Sequence, residues 1–340
     1  MSTLEPLQIG VIGAGGMGTR HVENLSRFVR AAQVSAVYDL DGQRAAQAAD
    51  IAGGAAVLND PYALIRSPQV QAVLIASSDS THLEFVLACL QEKKPVLCEK
   101  PLAVSAADAE RILQAEMAAG QRLVSVGFMR RFDPQHVAVK QLADSGTLGR
   151  KIVYKGVHRN AAIPYSVSGK VVLTNSAGHD IDATRWLLGQ EIQKVYVRGI
   201  RSHSSFSPET QDLLLVQMDL SGDCLATLEV YLAAEYGYEV NAEIVAERGV
   251  ISTGQPDLAL LRAQQTRGNS VPLEWLARFQ EAYVAETADW VDSLLNQRRF
   301  SGASAWDGFA TLCVTDACVQ SLNSGQPVAV SLPPQPAFYA

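Results

Sequence analysis

The sequence predicts a two-part α/β fold: a doubly wound parallel sheet, then an α+β domain with a large, mainly antiparallel open sheet. Three observations predict it. From Leu7 to about Val126, short apolar runs alternate with helical stretches, the pattern of a parallel sheet covered by helices. Beyond Gly127, strand-like runs follow one another with little helix between them, which implies antiparallel pairing. The first apolar run breaks into Gly13-Ala14-Gly15-Gly16-Met17-Gly18, the Gly-x-Gly-x-x-Gly spacing of a dinucleotide-binding turn.

Each element can be justified in order. Leu7, Ile9, Val11 and Ile12 suit a buried parallel strand. The first glycine permits a tight turn, the second lets backbone approach a pyrophosphate, and the third lets the next helix pack close. A helical run over 19–29 then offers free N–H groups and a positive dipole end to phosphates. A second strand, 34–38, ends in Asp39. A carboxylate about 20 residues past the glycines accepts from the adenosine ribose hydroxyls. It favours NAD over NADP, because it repels a 2′-phosphate and Leu40, not an arginine, follows it. Further strands are expected at 56–58, 70–75, 95–98 and 122–126, with helices at 43–49, 81–91 and 105–119, the last capped by Ser105. These elements make an N-terminal Rossmann domain over 1–126.

The second domain, 127–340, opens with a helix near 134–143. Strands follow at 151–158, 193–201, 213–220, 224–232 and 239–246, with a hairpin turning at Ser221-Gly222-Asp223. A helix over 179–188 interrupts them and ends at Gly189. Helices near 273–296 and 304–323 close the domain or pack back on the first, and a proline-rich tail, 326–340, is extended. A broad sheet with an incompletely covered apolar face points to a homo-oligomer.

Composition narrows the function. At 340 residues the chain is long enough for two domains, and its net charge of −7 speaks against general nucleic-acid binding. No apolar run reaches the roughly 20 residues of a membrane span, and the early first strand leaves no room for a secretory leader. The five cysteines, Cys89, Cys98, Cys224, Cys313 and Cys318, are scattered, as reduced thiols in a cytoplasm are. With six dispersed histidines, no metal site is expected.

Chemistry concentrates at strand ends. Glu99-Lys100-Pro101 follows the strand at 95–98, where an ammonium would stabilise an alkoxide. Ser77 and Ser78 end the preceding strand and would line the cofactor; Ser80 or Thr81 reads equally as a helix cap, and His82 as a local capping residue. Asn175 and His179 are four apart and would share a helical face, with His179 suited to general-base work. Asp182 reads as structural. Arg130 or Arg131 would donate to hydroxyls, the other being solvated or ion-paired. His158-Arg159-Asn160 and Tyr236-Gly237-Tyr238 add polar groups suited to a polyhydroxylated substrate.

The glycine turn, Glu99-Lys100-Pro101, Gly127-Phe128-Met129-Arg130-Arg131-Phe132-Asp133, His158-Arg159-Asn160, His179-Asp180-Ile181-Asp182 and Tyr236-Gly237-Tyr238 together resemble the Gfo/Idh/MocA oxidoreductase family, in particular its inositol-oxidising branch. The resemblance spans nearly the whole chain, including Arg278-Phe279, Tyr283 and Asp307-Gly308. It implies a Lys–Asp–His catalytic group. Lys100 and His179 match two members; Asn175 stands where the aspartate is expected and carries no charge to support an imidazolium. It also implies substrate contacts at Met129, Arg130, His158, Asn160, Tyr238 and Tyr283. The cofactor, NAD, is expected on Gly13, Ala14, Gly15, Gly16, Met17, Gly18, Asp39, Leu40, Ser77, Ser78, His82, Glu99 and Lys100, its nicotinamide in the cleft between the domains. The expected activity is oxidation of a secondary hydroxyl of a cyclic polyol, inositol to an inosose, by a homotetramer or homodimer. The alternatives are a dehydrogenase or reductase of another sugar or anhydrosugar, or a non-catalytic dinucleotide-binding regulator.

Overall fold

Parallel order begins where the chain is most apolar. The structure is a computed structural model that describes residues 5–162, 168–254, 260–263, 266–269 and 271–340. The first stretch runs β1 (Leu7–Ile12), α1 (Gly16–Phe28), β2 (Ala32–Tyr38), α2 (Gly42–Ile51), β3 (Ala56–Val57), α3 (Pro61–Arg66), β4 (Ala72–Ile75), α4 (Asp79–Gln91), β5 (Val96–Cys98), α5 (Ala106–Ala119) and β6 (Val124–Val126). Next come α6 (Pro134–Asp144), β7 (Lys151–Arg159), α7 (Gly169–Val171), α8 (Ala177–Leu188), β8 (Ile192–Ile200), β9 (Leu213–Leu220), β10 (Cys224–Tyr231), β11 (Glu239–Ala246), β12 (Gly249–Ser252), β13 (Leu260–Ala263) and β14 (Thr266–Asn269). The chain closes with α9 (Trp275–Leu295), β15 (Ala303–Ser304), α10 (Ala305–Ser324) and β16 (Val328–Ala329).

Two compact units result. One comprises Met1–Phe132, Glu281–Leu312 and Pro333–Ala340; the other comprises Asp133–Gln280 and Cys313–Leu332. In the first, the sheet order is β15-β6-β5-β4-β1-β2-β3. All pairings are parallel except that of β15 with β6. The strand sequence reverses between β1 and β4, and the carboxyl ends beside such a switch point bind ligands in open α/β sheets. The core of this sheet, with Ile9, Val11, Val34, Val37 and Leu74, includes Trp290 and Val291 of α9.

The second unit carries the order β12-β11-β7-β10-β9-β8-β16. It is antiparallel except for β7 against β10. That parallel pair arises because α8, β8 and β9 lie between the two strands in sequence. The predicted hairpin joins β9 to β10, with Gly222 and Asp223 both at positive φ. Inward side chains such as Tyr154, Val216, Leu228 and Ile244 pack with Ile181 and Leu187 of α8 and Val314 and Cys318 of α10.

Several boundaries differ from the sequence reading. Ser78, not Ser80 or Thr81, is the N-cap residue of α4. The helix expected at 179 starts earlier: α7, a π-helical segment Val172–Ser176 and α8 follow one another without a break. The strands β13, β14 and β15 have no alternating pattern in the sequence to reveal them.

Candidate active site

The nucleotide end is built from backbone. Gly13 has φ +95, and a Cβ there would lie 2.5 Å from the Ala76 carbonyl oxygen. A Cβ on Gly18 would sit 1.8 Å from the Gly13 carbonyl oxygen. These two glycines are therefore required for the turn itself. Gly15 and Gly16 differ, since a Cβ on either would meet nothing within 4 Å. Gly15 is also the N-cap of α1, and no side chain caps its N–H groups. An open space over uncapped helix N–H groups fits a pyrophosphate. Ala14 adds its N–H to Asp39 Oδ2 at 2.6 Å, so it orients the carboxylate. Met17 lies in the first turn of α1.

Asp39 follows β2, as the ribose reading requires. Its Oδ1 accepts from Asp41 N at 2.8 Å and from Arg44 Nε and Nη2 at 3.1 and 2.8 Å. Burial works to raise its pKa, but the Ala14, Asp41 and Arg44 hydrogen bonds outweigh it and hold the carboxyl below the ordinary aspartate value. Leu40 is 92% exposed beside it. The sequence puts Leu40, not an arginine, immediately after Asp39; the structure places Arg44 on it, because Asp41 caps α2 and turns the chain back.

Lys100 lies two residues past β5. Glu99, the residue before it, is buried and accepts from His21 Nε2 at 2.7 Å and from Lys100 N at 3.1 Å. A Cβ on Gly127 would come within 3.2 Å of the Glu99 carboxylate, so the glycine leaves room for it. Burial works to raise Glu99, yet the His21 hydrogen bond and the charges of His21 and Lys100 hold it below the usual glutamate value. Burial pushes Lys100 below the ordinary lysine value; Arg130 pushes the same way, while Glu99 and Asp79 oppose. His21, on α1 and edge-on to Tyr283 with ring centroids 6.0 Å apart, was not singled out in the sequence. Its only signal there was a histidine within the helix that follows the glycines.

Around these groups lie the other candidates of the first unit. Ser77 Oγ and Thr81 Oγ1 are 2.7 Å apart, and Thr81 Oγ1 donates to the Ser78 carbonyl. His82 is buried, with Nδ1 2.7 Å from the Pro101 carbonyl oxygen and Nε2 3.2 Å from that of Ser77. Both partners are carbonyl oxygens, so it ties the loops after β4 and β5 together rather than capping α4. Met129 and Arg130 are buried in a 3₁₀ turn after β6. Arg131 is the ion-paired arginine, 2.9 Å from Asp307. A cavity of about 310 Å³ between β6, α9 and Tyr339 contains none of these residues.

The second unit holds a different cluster. His158, on the inner face of β7, donates Nδ1–H to Asp180 Oδ2 of α8 at 2.8 Å. Tyr238 packs edge-on against His158, with centroids 5.8 Å apart, and against Phe279. Gly237, at φ +148, leads into it. Arg159 faces the other side of the sheet, bound to Glu229, Tyr236 and Glu239. His179 and Asp182 are buried on α8. Asn160 N donates to the Tyr231 carbonyl just past β7. Asn175 lies in the π-helical segment. A π turn closes its hydrogen bonds one residue later than an α turn, so residues four apart still stand about one turn from each other, and Asn175 stays one turn before His179. Asp133 anchors the start of α6 through Arg278, at 2.6 and 3.0 Å, and His136 Nδ1, at 2.6 Å.

With this geometry in place, the comparisons with known proteins decide the family. Residues 7–128 match the model of the Gfo/Idh/MocA oxidoreductase family described as its NAD-binding Rossmann fold, and residues 151–330 match its C-terminal alpha/beta domain. The chain belongs to that family. This Gfo/Idh/MocA oxidoreductase is 45% identical to an inositol 2-dehydrogenase of Rubrobacter xylanophilus, over 98% of this chain and 96% of the relative. It is 42% identical to inositol 2-dehydrogenase 2 of Saccharopolyspora erythraea, over 98% of each. Among solved structures, it superposes with a TM-score of 0.95 on myo-inositol dehydrogenase of Lactobacillus casei in complex with NAD(H) and myo-inositol. That match is at 30% identity and covers 98% of this chain and 100% of the other. The Gfo/Idh/MocA oxidoreductase is an NAD-dependent enzyme. Among the described residues, no helix is long and apolar enough to cross a membrane.

Proposed function

We propose that this enzyme oxidises a secondary hydroxyl of inositol to the corresponding inosose. The observation that carries the reading is Lys100, two residues past β5, whose backbone N–H donates to the carboxylate of buried Glu99 at 3.1 Å, in a chain 45% identical to an inositol 2-dehydrogenase over nearly its whole length. The turn from Gly13 to Gly18 and the Asp39 carboxylate would hold NAD, which supplies the hydride acceptor when bound. Lys100 donates a hydrogen bond to the reacting oxygen and stabilises the negative charge that grows as the hydroxyl loses its proton. His179 receives that proton. Asn175, uncharged, orients a hydroxyl without raising the basicity of His179. Met129, Arg130, His158, Asn160, Tyr238 and Tyr283 are proposed to read the remaining hydroxyls. Asp180 fixes the ring of His158, so that His158 presents one edge in one orientation.

NADH formation measured at 340 nm with myo-inositol, scyllo-inositol and a panel of sugars tests the reading. Turnover with an inositol, well above that with sugars, is expected. A preference for a sugar moves the assignment to another branch of the family.

The same reading includes self-association and a cytoplasmic setting. The outer face of the second sheet exposes Leu215 and Leu225 among charged neighbours, an apolar surface that a second copy would cover. A homodimer or homotetramer by light scattering, broken by Leu225→Glu, is the expected result. The five cysteines, all buried thiols, suit a reducing compartment.

A further inference from the structure

We propose that Arg44 sets how strictly this enzyme rejects a 2′-phosphorylated dinucleotide, and that Asp39 and Arg44 form a masked 2′-phosphate site. The proposal rests on the dinucleotide role of the glycine turn and not on which polyol is oxidised. Asp39 alone would exclude a phosphate by charge. It is not alone, because Oδ1 already takes three donors: Asp41 N and both Nε and Nη2 of Arg44. Its Oδ2 takes Ala14 N at 2.6 Å. A carboxylate offers about four acceptor positions, so a ribose hydroxyl at Oδ1 must displace or share with the guanidinium.

Arg44 can yield. Its side chain is 51% exposed, whereas that of Asp39 is 7% exposed. Its backbone is held independently, since Asp41 Oδ1 caps α2 by accepting from Gln43 N and Arg44 N. Asp41 Oδ2 lies 3.9 Å from Arg44 Nε, a looser second anchor. The guanidinium therefore swings by side-chain rotation without moving the helix. It is also the side chain best matched to a phosphate, through its planar fork of donors. At the position where a 2′-phosphate would sit, the net charge is thus nearly balanced by a mobile cation and a fixed anion. The sequence hides this arrangement because Arg44 is five residues past Asp39, across a turn.

Calorimetric binding of adenosine 2′,5′-bisphosphate and of adenosine 5′-monophosphate to the intact protein tests the proposal without catalysis. Four forms are compared: wild type, Arg44→Ala, Asp39→Ser and the double variant. Loss of Arg44 should weaken the bisphosphate about three- to tenfold, the range of a part-exposed charge-assisted contact, while the monophosphate stays within about twofold or tightens. Asp39→Ser should tighten the bisphosphate, and most of that gain should vanish in the double variant. The ratio of kcat/KM for NADP to that for NAD should fall in Arg44→Ala by the same factor. If Arg44→Ala shifts both nucleotides equally, or the Asp39→Ser gain persists without Arg44, the proposal is overturned. If wild type binds neither nucleotide, the dinucleotide role of the turn fails first, and the proposal with it.

Discussion

The two units hold their functional groups by different means. In the first, main chain does most of the holding: Gly13 and Gly18 fit where no side chain can, Ala14 N fixes Asp39, and Lys100 N binds Glu99. In the second, side chains hold side chains, as in His158 on Asp180 and Tyr238 against His158. Main-chain placement tolerates little change at the glycines and much around them. Side-chain placement spreads the cost over pairs, each replaceable at a moderate penalty.

The largest expected effect separates chemistry from binding within the first unit. Lys100→Met should lower kcat by about 10²–10³ while NAD still binds by fluorescence titration. A near-normal kcat in the folded variant would remove Lys100 from the chemical step. Next, Gly18→Ala should destabilise the protein by about 1–3 kcal/mol, because the clash is with backbone that cannot rotate away. Gly15→Ala should leave the denaturation midpoint alone and weaken NAD. Equal stability of the two variants would break the claim that the glycines divide into structural and ligand-facing pairs.

Side-chain placement predicts smaller, graded losses. Asp180→Asn leaves His158 a neutral partner in place of a carboxylate. It should lower kcat/KM for inositol about tenfold, the worth of a charge-assisted over a neutral hydrogen bond, with NAD affinity unchanged. A matching loss of NAD affinity would show instead that the fold had failed. Glu99→Gln removes a charge that raises the Lys100 pKa. Lys100 then loses its proton at lower pH, so the basic limb of the kcat/KM–pH profile should move down. The smallest effect is at Asn175. Asn175→Asp should raise the pKa of His179 by opposite charge, moving the acidic limb upward and reordering substrate epimers. If neither changes, Asn175 serves only the π-helical segment.

What the sequence showed follows the same division. The glycine turn, Asp39, Lys100 and the strand ends were legible because their spacing is local and the period of a buried strand is plain. The second sheet was legible from strands in succession, and its hairpin from Ser221-Gly222-Asp223. Contacts across sequence were not. Arg44 reaches Asp39 around a turn, His21 reaches Glu99 from another element, and His158 meets Asp180 only once α8 packs on the sheet. The π segment was hidden because one extra residue in a turn leaves no compositional mark. Tyr283, expected with the substrate contacts, lies in the first unit on α9, one of the two placements that the helical pattern over 273–296 left open.

The discontinuity of the first unit bears on how the protein is made. Its sheet core includes Trp290 and Val291, β6 gains a partner in Ala303–Ser304, and Glu116 receives the Tyr339 hydroxyl at 2.5 Å. During vectorial synthesis the nascent chain emerges with six paired strands and an apolar seat for Trp290 that stays empty until some 160 residues later. At roughly 5–20 residues per second, that seat faces the ribosome exit and its chaperones for about 10–30 s. A chain released at residue 132 should therefore aggregate or be degraded, whereas a chain that includes Trp290, β15 and Tyr339 closes the gap.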